Sequence, residues 1–90
     1  MKALHLIFSG KVQGVGFRWA AKDIAEQHDV VGTVKNLPSG DVEMIVQGQS
    51  KDVEGFLKAL NERFHKHIEH IKEELILPDP SITLFTIATN

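Results

Sequence analysis

The chain has 90 residues, 42% of them hydrophobic, which is enough for one compact domain around a single core and too little for two. It contains no cysteine, which excludes a disulfide framework, a thiolate nucleophile and a cysteine-bound zinc. A formal net charge of −2 opposes nonspecific attraction to nucleic acid or to an anionic membrane, so any anionic ligand must be held locally.

Met1-Lys2-Ala3 leads straight into patterned sequence, with no apolar leader and no apolar run of spanning length, and a soluble cytoplasmic protein is expected. Leu4, Leu6 and Phe8 then alternate with Ala3, His5, Ile7 and Ser9, the period of a strand with one buried face, and Gly10 ends it. A loop follows from Lys11 to Gly16. Phe17, Ala20, Ala21, Ile24 and His28 recur at the spacing that lines one side of a helix. Val30, Gly32 and Val34, the turn Leu37-Pro38-Ser39-Gly40, and Val42, Met44 and Val46 together describe a hairpin.

Ser50 is the expected N-cap of a second helix, whose stripe is Val53, Phe56, Leu57, Leu60 and Phe64. Ile71, Leu75 and Leu77 lie on one side of a further extended run, Pro78-Asp79-Pro80 breaks it, and Ile82 to Ala88 suggest a last strand. The order predicts an α+β fold, β-α-β-β-α-β with an extra terminal strand, as a single domain over 1–90 in which two helices cover one face of an antiparallel sheet. No internal repeat or linker interrupts it. This architecture carries enzymes, ligand sensors and RNA-binding domains alike, so function must be read from a site.

The segment Gly10-Lys11-Val12-Gln13-Gly14-Val15-Gly16-Phe17-Arg18 joins the first strand to the first helix, where backbone N–H groups without helical partners can point at an anion. Gly14 and Gly16 permit positive φ and a concave nest of amides, and Arg18 adds a planar fork that can bind two phosphate oxygens at once. A P-loop would need Gly-Lys followed by Ser or Thr, but Lys11 is followed by Val12. A dinucleotide fingerprint would need glycine where Trp19 stands. The glycine pattern alone leaves open a loop that merely turns the chain, and Arg18 alone leaves open a solvated surface arginine.

Val12-Gln13-Gly14-Val15-Gly16-Phe17-Arg18 resembles the signature loop of the acylphosphatase family, and Gly32-Thr33-Val34-Lys35-Asn36-Leu37-Pro38-Ser39-Gly40-Asp41-Val42-Glu43 resembles its second signature. The resemblance covers essentially the whole chain and implies a ferredoxin-like α/β sandwich, in agreement with the element order. It implies hydrolysis of small acyl phosphates by a cytoplasmic monomer without cofactor or metal. Arg18 and Asn36 fall on the family's catalytic positions, and the amides of Gln13, Gly14, Val15, Gly16, Phe17 and Arg18 on its phosphate cradle. Asn36 is neutral and cannot be a general base, but its amide can hold a water in line with the leaving group. The resemblance implies that the substrate's own phosphate takes up the water's proton.

Two positions depart from the family's pattern. Thr33 replaces a large aromatic residue, and His28-Asp29 replaces Leu-Gly at the end of the first helix, where a left-handed residue is easiest for glycine.

Other readings carry less. A noncatalytic module that binds a small phosphorylated metabolite would use the same loop, and acylphosphatase-like segments also work inside larger carbamoyl-transfer proteins. His65, His67 and His70 with Glu69 have the composition of a metal site, but imidazoles after a helix C-terminus more often sit in solvent. Trp19 is off the helix's apolar stripe and is expected to pack, partly exposed, beside the loop. Lys72-Glu73-Glu74 reads as an exposed strand face. RNA binding would want aromatic residues on the open sheet face, where the third strand offers Asp41, Glu43, Ile45 and Gln47.

Overall fold

In a computed structural model, which describes residues 1–88, the chain forms β1 (Lys2–Gly10), α1 (Phe17–Gln27), β2 (Val31–Asn36), β3 (Val42–Gly48), α2 (Ser50–Phe64), β4 (Ile68–Ile76) and β5 (Phe85–Ile87). Thr89 and Asn90, the end of the expected 1–90 domain, lie outside the described residues. The strands assemble in the order β4-β1-β3-β2-β5. This is the expected ferredoxin-like sandwich, two helices on one face of one sheet.

Period-two patterning decides which face is covered. Leu4, Leu6 and Phe8 of β1 stand opposite Val46, Met44 and Val42 of β3, and Met44 also faces Val34 of β2. All seven are buried under the helices. The helical stripes close the core from above with Phe17, Ala20, Ala21, Ile24 and Ala25 from α1 and Val53, Phe56, Leu60 and Phe64 from α2. Burying one such aliphatic or aromatic side chain is worth about 1.5–3 kcal/mol, so this layer is the main source of stability.

Five expectations are corrected. The sheet is mixed, because β5 pairs parallel with β2 while the other pairings are antiparallel. β5 has only three residues, with Phe85 buried and Leu84 68% exposed. Ser50 is the first helical residue of α2, and the N-cap is Gln49, whose carbonyl accepts from the N–H of Asp52 at 2.9 Å and of Val53 at 3.0 Å. On the edge strand β4, Ile71 and Leu75 do share the helix side, opposite Phe8 and Leu4, but Leu75 is 72% exposed and Leu77, beyond the strand end, 90%. The helices do not reach that far along the edge.

Gln47 is the fifth correction, since it is not displayed on the open face. Its amide donates to the Asp79 carbonyl at 2.7 Å and accepts from the Asp79 N–H at 2.9 Å. The connection from β4 to β5 must cross from one sheet edge to the other, and this pair of bonds seats it over the open face. Gln47 and Ala3, which is its register partner, are consequently buried.

Beside Ile7 and Ile45, that face also carries a charged cluster. His5 Nε2 donates to Glu43 Oε2 at 2.9 Å, and Lys35 Nζ lies 3.5 Å from the other carboxylate oxygen. The His5 bond holds the Glu43 carboxyl below its ordinary value; partial burial opposes this, and Lys35 adds to it. A carboxyl lowered in the folded state contributes stability that is complete above the unfolded value near 4.5 and is lost as pH falls through the folded value. Denaturant midpoints at pH 7 and pH 3 should therefore differ less for Glu43→Gln than for the wild type, by under about 1 kcal/mol because the pair is partly solvated. Equal acid sensitivity in both proteins would remove Glu43 from the account.

Candidate active site

The loop between β1 and α1 is fixed at both ends and in the middle. At its start the Lys11 N–H donates to the His67 carbonyl at 2.9 Å, next to a register shift between Ser9 and Gly10. Val12 is buried in the core. At its end the Phe17 ring packs between Phe8 and Phe64, with centroids 5.0 and 4.9 Å away. Residues 13–16 are thus free to follow the glycines. Gly14 and Gly16 adopt φ of 78° and 79°, the left-handed conformation that the sequence expected of them.

Gly16 is the N-cap of α1, and the helical ladder begins with the Ala20 N–H donating to its carbonyl at 3.0 Å. The N–H groups of Phe17, Arg18 and Trp19 precede that ladder and carry the positive end of the helix dipole. Arg18 is half-buried beside them, and among the described residues no carboxylate pairs with it. The loop glycines thus run directly into the helix N-terminus, with Arg18 in the first turn of α1.

Asn36, the other expected catalytic residue, stands at the head of the hairpin turn. It is the last residue of β2, in register with Val42, and is half-buried. The turn that follows has its own backbone bonds, Leu37 N–H to the Asp41 carbonyl at 2.9 Å and Gly40 N–H to the Leu37 carbonyl at 3.1 Å.

Sequence reasoning missed what binds this turn to the loop. The Gln13 side-chain amide donates to the Leu37 and Asp41 carbonyls, both at 2.9 Å. Gln13 thus serves the loop with its backbone and the hairpin with its side chain. Partners 24 and 28 residues away leave no local signal in the sequence. Gln13→Leu should lose about 1–3 kcal/mol of stability and, by letting loop and turn drift apart, up to about a hundredfold in kcat/KM. An unchanged kcat/KM would show that the two segments hold their relative position without it.

Three other expectations can be placed. Asp29 has φ 53°, the left-handed helix end anticipated for the position where glycine is easier. Trp19 is 70% exposed, more than a packing residue would be. Among the described residues no three His, Asp or Glu side chains converge as metal ligands. His65 Nδ1 instead donates to the Glu62 carbonyl at 2.9 Å. A cleft of about 410 Å³ between α2 and β4, lined by Asn61, His65 and Ile71 among others, and one of about 240 Å³ by the end of α1 lie away from the loop.

The fold is a ferredoxin-like sandwich with a left-handed glycine loop leading into its first helix. The Acylphosphatase family model matches residues 4–87. The chain is 35% identical to an acylphosphatase of Lactobacillus johnsonii, in an alignment covering 97% of this chain and 98% of that protein. Its structure superposes with a TM-score of 0.87 on the crystal structure of acylphosphatase from Bacillus subtilis, at 26% identity and covering 99% and 100% of the two chains. It also resembles part of T. kodakarensis HypF, with a TM-score of 0.84 and 34% identity, where the match spans all of this chain and 12% of the other. The chain belongs to the acylphosphatase family.

Proposed function

We propose that the chain hydrolyses the carboxyl–phosphate bond of small acyl phosphates, giving a carboxylate and inorganic phosphate, with Arg18 and Asn36 as its catalytic residues. What supports this is that the left-handed glycine loop runs directly into the α1 N-terminus, with Arg18 in the first turn and no carboxylate paired with it among the described residues. Phosphoryl transfer spreads negative charge over the equatorial oxygens, and the amides from Gln13 to Arg18 with the guanidinium meet it without reorganising. The leaving carboxylate is a weak base, so no general acid is required. Asn36, held near the loop through the Gln13 bonds, orients the water, and the substrate phosphate takes its proton. The site supplies cationic and neutral donors and no carboxylate to hold a divalent ion.

In this reading the protein is one cytoplasmic domain over 1–90, active as a monomer on a small molecule, without cofactor, nucleic acid or membrane partner. No helix among the described residues is long and apolar enough to cross a membrane. The likeness to part of HypF favours, as a second reading, a segment that works within a larger assembly.

The purified chain should hydrolyse an aryl acyl phosphate in the presence of a chelator, turn over phosphate monoesters far more slowly, and be competitively inhibited by inorganic phosphate. Activity lost in chelator and restored by a divalent ion would overturn the metal-free mechanism. Phosphate binding without turnover would leave a binding module.

A further inference from the structure

Trp19 is the only tryptophan of the chain, and it stands 70% exposed next to Arg18. Successive helical residues are about 100° apart, so with Phe17 turned into the core Trp19 comes about 200° around, on the outer side of the first turn of α1. Helical side chains lean toward the helix N-terminus, which here is the anion cradle. No ring or cation contact engages the indole among the described residues.

The ground between indole and loop is open. A Cβ built on Gly14 or Gly16 meets nothing within 4 Å, and both glycines are exposed. With the loop this open to solvent, a cradle there grips a phosphoryl group without enclosing what is attached to it. The remainder of a bound acyl phosphate must project from the cradle, and Trp19 is the large apolar surface beside it.

We infer that Trp19 forms the acyl-group subsite: its indole packs against the acyl portion of the substrate and favours aromatic acyl groups over acetyl. This rests on the acylphosphatase reading above. Trp19→Ala should raise KM for benzoyl phosphate about tenfold, the upper range of a single aromatic contact, and leave KM for acetyl phosphate within about twofold. Trp19→Phe should restore most of the difference. The inhibition constant of inorganic phosphate and the unfolding midpoint should not move, since the side chain is solvated and the cradle untouched.

A binding measurement separates this inference from the activity it builds on. By calorimetry, benzylphosphonate should bind wild type about tenfold more tightly than Trp19→Ala, and methylphosphonate should bind both alike. An equal benzoyl-to-acetyl ratio in wild type and Trp19→Ala, with hydrolysis intact, would overturn the subsite and leave the proposed function standing. Phosphonate selectivity that depends on Trp19, without hydrolysis of either acyl phosphate, would support the subsite and overturn the enzymatic reading.

Discussion

Arg18→Ala is expected to lower kcat/KM by a factor of about 10²–10³, the usual cost of removing one preorganised donor from a developing oxyanion. It should raise the inhibition constant of inorganic phosphate as well, because in the proposed mechanism the guanidinium binds the group that substrate and product share. The loss should be one of function and not of folding. Arg18 is half-buried, pairs with no carboxylate among the described residues, and sits between a Phe17 anchored by two rings and the solvated Trp19. A shift in unfolding free energy within about 0.5 kcal/mol is therefore anticipated. Arg18→Lys should recover only part of the rate, since an ammonium supplies the charge but not the two parallel donors. If the lysine variant matched wild type, charge alone would be the requirement, and bidentate recognition would have to be abandoned.

The elements that patterning located correctly are those whose burial is decided within the element. Leu4, Leu6 and Phe8 alternate because one side of β1 meets the helices, and Val53, Phe56, Leu60 and Phe64 recur because one side of α2 meets the sheet. The loop was legible for a related reason: φ values near 80° at Gly14 and Gly16 are a local demand that selects glycine. What failed was set by distant chain. Gln47 alternates like a surface residue and is buried because Asp79 crosses over it, while Leu75 has the right phase for the core but stands at an edge the helices do not cover. The parallel pairing of β5 depends on where the 77–84 connection emerges, which no periodicity encodes. Gln13 shows the same division within the site. Its position in the loop could be read from the motif, but its hold on the Leu37 and Asp41 carbonyls could not.

Asn36→Ala removes the amide proposed to position water and leaves Arg18 and the loop donors in place, so binding should survive and turnover should not. The expected result is a fall in kcat of about a hundredfold or more, with the competitive inhibition constant of phosphate nearly unchanged, the pattern of a group that acts chiefly in the transition state. Arg18→Ala should move both quantities, and the contrast assigns roles to the two residues. The competing possibility is that Asn36 merely shapes the turn. The turn also has its own backbone bonds between Leu37, Gly40 and Asp41 and the tie from Gln13, so loss of one side chain there need not open it. A turn-shaping role predicts a lowered denaturant midpoint together with weakened phosphate binding, so unfolding has to be measured beside the kinetics. A variant as stable as wild type that hydrolyses acyl phosphates at the wild-type rate would end the water-positioning role. The cradle would then hold phosphate without any side chain yet identified to direct the attack.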